Sequence, residues 1–232
     1  MQAVSLTKVH HDIVTCSKCE RLRTYCMEMA RVKRAAFRND TYWARPVPGF
    51  GDPNARMLTL GLAPAAHGAN RTGRVFTGDG GGGSGDFLMA AMHRHGFASI
   101  PTSQTLDDGL LLTDAFIAAA VRCAPPDNKP TPEEILTCQS HLEAELAQLK
   151  HIRVVVTLGK IAFDVWWRVM ARQGVAIKPR PAFGHGAVYR PEGGPIVIAS
   201  YHPSRQNTHT GKLTPPMMSS VFRKAAKIVR QG

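Results

Sequence analysis

The loop between Gly61 and Asp86 holds residues that are well suited to bind an anion. It follows a short apolar strand, is rich in Gly, Ala, Asn and Arg, and contains little that could fill a core. Glycine allows the backbone to approach a ligand closely, and ligands bind at the carboxyl ends of the strands in α/β sheets. We therefore predict that this loop forms one wall of the functional site.

Four of the five cysteines could bind a metal group. Cys16 and Cys19 are spaced as two ligands of one centre, whereas Cys123 and Cys138 lack the close spacing of a second zinc-ribbon pair. Cys26 lies on the apolar stripe of a predicted helix and is interpreted as a small core residue. Spacing alone leaves an iron–sulfur cluster, zinc and no metal open, with the cluster slightly favoured.

The charge of the chain indicates a class of partner. Its 232 residues contain 29 Lys and Arg against 17 Asp and Glu, a formal net charge of +12. Such a balance points first to nucleic acid and then to an anionic membrane face, although a merely basic surface is the simpler alternative. We see no apolar run long enough to span a bilayer and no signal peptide, so we expect a cytoplasmic protein with no membrane partner.

Hydrophobic periodicity predicts strands that alternate with helices. The predicted strands are Arg56–Leu62, part of Leu110–Val121, Ile152–Leu158 and Ile196–Ser200. The predicted helices are a helix or arm over 1–15, Arg21–Arg38, Asp86–Phe97, Thr131–Lys150 with a capping box at its start, a helix after Gly159, and Pro215–Val229. Asp40–Asn54 is too rich in Pro and Gly for regular structure, and Gly174–Gly194 is predicted to be a hairpin or loop.

This alternation predicts a three-layer α/β/α sandwich with a central, mostly parallel four-stranded sheet, in one domain over residues 1–232. Polar loops follow three of the strands and begin at Gly61, Arg122 and Tyr201. The carboxyl ends of parallel strands share one edge of the sheet, so these loops should converge on one cleft.

Three blocks within these loops resemble the uracil-DNA glycosylase superfamily, and most closely its type-b (family 5) members. They are GLAPAAHGANRTGRVFTGD (Gly61–Asp79), AAVRCAPPDNKPTPEE (Ala119–Glu134) and YHPSRQNTHTGKLT (Tyr201–Thr214). The segment YWARPVPGFGDP and the arrangement of cysteines are also similar, so the resemblance covers nearly the whole chain. A Gly run, Gly80–Gly83, departs from the family's shorter loop at this point.

The resemblance implies a structural [4Fe-4S] cluster. The four ligands carried over by position are Cys16, Cys19, Cys123 and Cys138. Such a cluster would connect the N-terminal segment to the loop after the second strand.

The resemblance also implies an activity, the excision of uracil from DNA during base excision repair. In our hypothesis His202 donates a hydrogen bond to uracil O2, and Asp79 orients or deprotonates the water. Asn128 shares the water or contacts the DNA, and Phe76 stacks on the flipped base. The simpler alternatives are a capping His, turn or loop residues for Asp79 and Asn128, and a core Phe.

The remaining site residues are predicted to line the pocket or contact DNA. The pocket wall includes Gly61, Ala63, Pro64 and Ala65, whose small side chains suit uracil, hypoxanthine and modified pyrimidines. Arg205 and Gln206 are the expected wedge between the strands. The other predicted DNA contacts are His67, Asn70, Arg71, Arg74, Lys129, Ser204, Asn207 and Lys212, the first three of which could equally be loop scaffold.

The expected partner is DNA, double-stranded and also single-stranded, with the protein acting as a monomer. Two other function classes stay open at this point. One is a non-catalytic iron–sulfur protein that binds nucleic acid, and the other is an electron carrier, for which the basic charge has no obvious role.

Overall fold

The computed structural model describes residues 5–175, 178–179 and 181–231. A six-stranded sheet lies at its centre, with the strand order β1-β3-β2-β4-β6-β5. The four inner strands are parallel: β2 (Met57–Gly61), β3 (Ala115–Ala119), β4 (Val154–Leu158) and β6 (Ile196–Ser200). Two-residue strands, β1 (Phe50–Gly51) and β5 (Val188–Tyr189), pair antiparallel at the edges.

Helices cover both faces of this sheet. They are α1 (Leu6–Val14), α2 (Glu20–Val32), α3 (Ala69–Thr72), α4 (Ser84–Arg94), α5 (Pro132–Leu146), α6 (Lys160–Arg172), α7 (Arg205–His209) and α8 (Pro215–Arg230). Helices α2, α5 and α6 pack in one apolar cluster, and α4 and α8 pack in the other. Within the described residues, no helix is long and apolar enough to cross a membrane.

The alternation of side chains along the strands explains the two clusters. In β2, Leu58 and Leu60 join the cluster under α5 and α6, whereas Met57 joins the cluster under α4 and α8. Successive side chains of a strand point to opposite faces, so a strand covered on both faces must be apolar throughout. The predicted three-layer fold and parallel four-stranded core are confirmed.

Several predicted boundaries were wrong. The helix expected over Arg21–Arg38 ends at Val32, because Lys33 adopts a φ of 50° that no helix allows. Asp40–Asn54, expected to be irregular, contains β1: Gly51 has a φ of 137°, and a side chain there would collide with the backbone of Ala115. The abundance of glycine in this segment predicted that it would contain no strand, but glycine at position 51 is the residue that permits the edge pairing. Part of the predicted Gly174–Gly194 loop lies outside the described residues.

The capping box predicted at Thr131 is present. The Thr131 side chain accepts a hydrogen bond from the Glu134 backbone N–H at 3.2 Å, and the Glu134 carboxylate accepts one from the Thr131 N–H at 2.7 Å. Arg21 of α2 donates to the same carboxylate at 2.8 Å. The start of α5 is thereby fixed against the N-terminal segment.

We expect Thr131→Ala to lower the free energy of unfolding by about 1 kcal/mol, because the backbone N–H of Glu134 loses its acceptor. Thr137→Ala is the matched control, since Thr137 is exposed in the middle of the same helix, where alanine is the better helix former. Urea unfolding measures both. Equal effects of the two substitutions would contradict a capping role for Thr131.

Candidate active site

The three predicted loops meet at the carboxyl edge of the sheet. The Phe76 ring, from the loop after β2, stacks on the His202 ring after β6, with centroids 5.8 Å apart and planes inclined by 30°. A side chain at position 61 would come within 2.8 Å of the Phe76 ring. Backbone bonds from Ala120 and Val121 to Gly61 and Leu62, at 3.0 and 2.8 Å, extend the pairing of β3 with β2 beneath this pocket.

Phe76 holds a backbone conformation that is rare for its residue type. Its φ is 53°, and a side chain at Gly85 would collide with its carbonyl oxygen. A bulky residue with positive φ persists only where the surroundings fix it, and such positions cluster at functional sites. The half-buried Phe76 ring packs against the apolar cluster under α4 and α8 and is held in place at this edge of the sheet.

His202 is an uncharged hydrogen-bonding group at neutral pH. Burial lowers its pKa from 6.5 to about 4. The side-chain amide of Asn207 donates to the His202 carbonyl at 2.8 Å, and the Ser204 hydroxyl caps α7 by accepting from the Asn207 N–H at 3.4 Å. Ser204 and Asn207, both predicted to touch DNA, thus shape the loop that presents His202. A neutral imidazole on a fixed backbone can donate to an oxygen that gains negative charge.

Glycines allow the Asp79 carboxylate to sit in a tight, mostly dry position. A side chain at Gly68 would collide with the Asp79 carboxylate, and one at Gly83 would lie 2.5 Å from its Cβ. Burial raises the pKa of Asp79 above 3.8, although the backbone N–H of Gly85 and the cations Arg205 and Arg71 oppose the shift. A partly desolvated carboxylate of this kind is a better base than an exposed one.

Asn128, the third predicted catalytic residue, is placed differently. It is exposed on the loop after β3, with a φ of 56° that follows the 53° of Asp127. Phe76 and His202 are thus in contact with each other and Asp79 is confined by Gly68 and Gly83, whereas the Asn128 side chain faces solvent.

Three of the residues predicted to contact DNA make contacts within the protein that hold the loop. Asn70 is buried and donates to the carbonyls of Cys26 and Ala66, at 3.2 and 3.3 Å. His67 Nδ1 lies 2.9 Å from the Tyr42 hydroxyl. Arg71 binds Asp40 at 2.6 Å and the Gly78 carbonyl at 2.7 Å. His67, Asn70 and Arg71 thus make the contacts expected of loop-scaffold residues, the alternative given for them from the sequence.

Arg74 does not support the phosphate contact predicted for it. It is 6% exposed, pairs with Asp108 at 2.8 Å, and donates to Thr77 at 2.9 Å and Ser103 at 3.2 Å. Neither Asp108 nor Ser103 was singled out from the sequence, because both lie in a polar loop with no motif. The pairing of Arg74 with a carboxylate about thirty residues away becomes visible only in three dimensions.

The other predicted DNA contacts are exposed: Lys129, Arg205, Gln206 and Lys212. The Lys212 ammonium lies 5.1 Å from the centre of the Tyr201 ring. Arg205 donates to the Asp79 carbonyl at 3.2 Å, so the predicted wedge is in contact with the loop that carries Asp79. All four of these predicted side chains face solvent.

The four predicted metal ligands line one cavity. Cys16, Cys19, Cys123 and Cys138 share it with Arg122 and His141, and with Lys18, Leu22, Arg23 and Pro46. Burial raises the pKa of Cys138 to about 12, and the contact with Cys26 together with burial raises that of Cys123. Within the described residues, no group of three or more His, Cys, Asp or Glu is arranged to hold a single ion. The donor set and its cationic walls fit a larger group held by four thiolates.

Comparison with known proteins decides the family. The family model described as the uracil DNA glycosylase superfamily matches residues 48–226. The chain belongs to this superfamily. That range includes the loops bearing Phe76, Asp79 and His202, so the pocket described above lies wholly within the part that defines the family.

Relatives place the chain within the superfamily. It is 50% identical over 216 residues to a type-5 uracil-DNA glycosylase of Thermus thermophilus, covering 93% of this chain and 94% of the relative. It is 48% identical over 227 residues to the type-5 enzyme of Mycobacterium tuberculosis, covering 97% and 82%. A type-4 enzyme of Archaeoglobus fulgidus is 28% identical over 204 residues, covering 86% and 82%. The predicted resemblance to the family 5 glycosylases is confirmed.

The position of Asp79 leads to a test of the glycine that makes room for it. We expect Gly68→Ala to lower the free energy of unfolding by about 1–3 kcal/mol, because the new methyl group overlaps the Asp79 carboxylate. Gly81→Ala is the control, since no atom of the described residues other than its chain neighbours lies within 4 Å of a side chain at that position. Urea unfolding should show a change within about 0.5 kcal/mol for the control. A Gly68→Ala variant with the same free energy of unfolding as wild type would mean that Gly68 does not confine the Asp79 carboxylate.

Proposed function

We propose that this protein removes uracil from DNA by hydrolysing the N-glycosidic bond, which leaves an abasic site for base excision repair. The observation that carries the proposal is the stacking of Phe76 on His202 at the carboxyl edge of the sheet, together with the confined carboxylate of Asp79 on the same loop as Phe76. These three groups supply a surface for a flat base, a donor for its oxygen and a base for water. The relatives named type-5 uracil-DNA glycosylases support the same reaction.

The geometry suggests how the reaction proceeds. A uracil flipped out of the stack enters the pocket and packs against Phe76, at a cost of roughly a few kcal/mol for unstacking. As the bond between the base and C1′ breaks, the electron pair moves onto uracil and the sugar becomes cationic. Neutral His202 donates to uracil O2 as negative charge develops there. Asp79 stabilises the cation, orients the water and accepts its proton as the water oxygen bonds to C1′.

Asn128 enters this scheme as a contact made when DNA is bound. Its exposure after β3 leaves the amide free to meet the sugar or the attacking water. The wall formed by Ala63, Pro64 and Ala65 offers no bulky or polar gate, which favours a range that includes hypoxanthine and modified pyrimidines. We propose this wider range of substrates in addition to uracil.

DNA is the partner that the reaction requires. The net charge of +12 and the exposed cations Lys129, Arg205 and Lys212 favour DNA binding that weakens steeply as the salt concentration rises. We propose that Arg205 and Gln206 fill the gap left by the flipped base, while Lys129 and Lys212 contact phosphates. We propose that the protein acts on double-stranded and also on single-stranded DNA. We also propose that it is a monomer with a single domain and that it is located in the cytoplasm.

We also propose that Cys16, Cys19, Cys123 and Cys138 hold a [4Fe-4S] cluster. Support comes from their shared cavity, from its cationic walls and from the four-thiolate donor set. When bound, the cluster supplies structural cross-linking of the N-terminal segment, β3 and α5. No step of the base excision passes through it.

Asp79→Ala tests the catalytic assignment on a duplex with one labelled uracil. We expect the single-turnover rate to fall by about 10²–10⁴-fold, since a general base is lost, while DNA binding persists. Asp107→Ala is the control, because Asp107 is an exposed carboxylate away from the pocket and should leave the rate unchanged. Wild-type protein that forms no abasic site would sink the enzyme proposal and leave the non-catalytic nucleic-acid-binding alternative.

The pH dependence of that rate refines the same test. Asp79 acts when ionised, and its pKa is raised by burial, so the rate should fall as pH falls through that raised pKa and level off above it. His202 is neutral at pH values above its own pKa of about 4. Asp79→Asn should abolish the acid limb. An acid limb that persists unchanged in this variant would remove Asp79 from the mechanism.

Iron and sulfide analysis tests the cluster. We expect Cys138→Ala to lose iron, sulfide and the visible absorbance, and to unfold more easily, because one of four ligands is missing. Cys26→Ala should keep its iron, since Cys26 packs beside Cys123 but does not line the cavity. A colourless Cys138→Ala protein with wild-type stability and activity would contradict a structural cluster.

A further inference from the structure

A buried ion pair lies directly behind the cysteine cavity. Arg122 Nη2 donates to Glu145 Oε2 at 2.6 Å, and the two side chains are 1% and 0% exposed. The other oxygen of Glu145 accepts the backbone N–H of Gly49 at 2.8 Å. Burial opposes ionisation of Glu145, but its pKa stays below the ordinary value because Arg122 stands beside it. Both partners are therefore charged.

The ion pair uses only part of the Arg122 guanidinium. Its Nε and Nη1 atoms are buried and have no hydrogen-bond partner among the described residues. An unpaired donor in a dry interior is costly, and more so when it carries charge. If Arg122 served Glu145 alone, these two donors would have no explanation.

The missing partner lies on the cavity side. Arg122 lines the cavity of the four cysteines, and its backbone N–H already donates to Cys138 Sγ at 3.2 Å. His141, one turn after Cys138 on α5, lines the same cavity, and its Nε2 is likewise buried without a partner among the described residues. Two side chains that carry three unused polar nitrogen atoms thus line the same cavity as the four cysteines.

We propose that Arg122 and His141 donate hydrogen bonds to the sulfur atoms of the group bound by the four cysteines, with Arg122 neutralising part of its negative charge. This inference rests on the proposed [4Fe-4S] cluster. Four thiolates give such a group a net negative charge, and hydrogen bonds to its sulfurs set how readily it accepts an electron. Glu145 then acts as a positioning residue that fixes the guanidinium.

The decisive variant replaces both members of the ion pair, Arg122→Met together with Glu145→Met. Removing the pair as a unit leaves neither of its charges unpaired, although the Gly49 N–H and His10, 3.5 Å from Glu145, lose their contact with the carboxylate, so the fold should tolerate it better than either single change. We expect iron to be lost to a chelator about tenfold faster or more, as for other groups that support metal ligands. The reduction potential should become more negative, because an electron is added to a group that has lost a neighbouring cation.

His141→Phe tests the second donor separately, because a half-buried position can take an apolar ring. It should shift the potential in the same direction, by less, since no charge is removed. Arg122→Lys keeps the charge with fewer donors and should fall between wild type and the double variant. If the double variant fails to fold, Arg122→Lys and His141→Phe decide the proposal.

Reduction potentials and rates of iron loss that are identical to wild type in the folded variants would overturn the assignment. If Arg122 served only its ion pair with Glu145, its replacement would change neither the potential nor the rate of iron loss. All of these measurements are made without DNA, so their outcome is independent of uracil excision. Wild-type protein purified under anaerobic conditions without iron would overturn the cluster and this inference together, while leaving the glycosylase proposal to its own assay.

Discussion

The contact between the Phe76 ring and the backbone at position 61 joins the segments that form the pocket. Gly61 ends the central strand β2, and Phe76 returns to it after a fifteen-residue excursion that includes α3. Because the ring occupies the space that a side chain would fill, any other residue at position 61 would displace Phe76. Glycine at this position leaves room for an aromatic ring at the end of the strand.

Burial shifts the pKa of both titratable groups of the pocket in the direction that favours the uncharged form. It keeps His202 neutral, and it brings Asp79 closer to protonation. The two consequences differ chemically: a neutral histidine remains a hydrogen-bond donor, whereas a carboxylate that ionises less readily becomes a stronger base. The backbone N–H of Gly85 and the cations Arg205 and Arg71 oppose the rise in the pKa of Asp79.

Much of the architecture could be predicted because it depends on local patterns. β-branched and apolar runs mark the buried parallel strands, and Thr131 with Glu134 marks the start of α5. The role of Arg74 could not be predicted, because a charged residue in a basic loop reads as a phosphate contact until its partner Asp108 is located in space. The motif named Asp79 and His202, but only the structure shows that Gly68 and Asn207 hold them. Packing partners distant in sequence leave no local signal.

The cysteine cavity and the pocket are connected through a few residues at the end of β3. Val121 donates to the Leu62 carbonyl at 2.8 Å, in the pocket wall, and the next two residues are Arg122 and Cys123. Arg122 also accepts from the Val47 N–H at 2.7 Å, which ties in the segment beside β1. A group that fixes Cys123 therefore fixes the register of β3 against β2 within two residues of the pocket. Such a cluster would act on catalysis by holding Gly61 and Leu62 still, with no need for electron transfer.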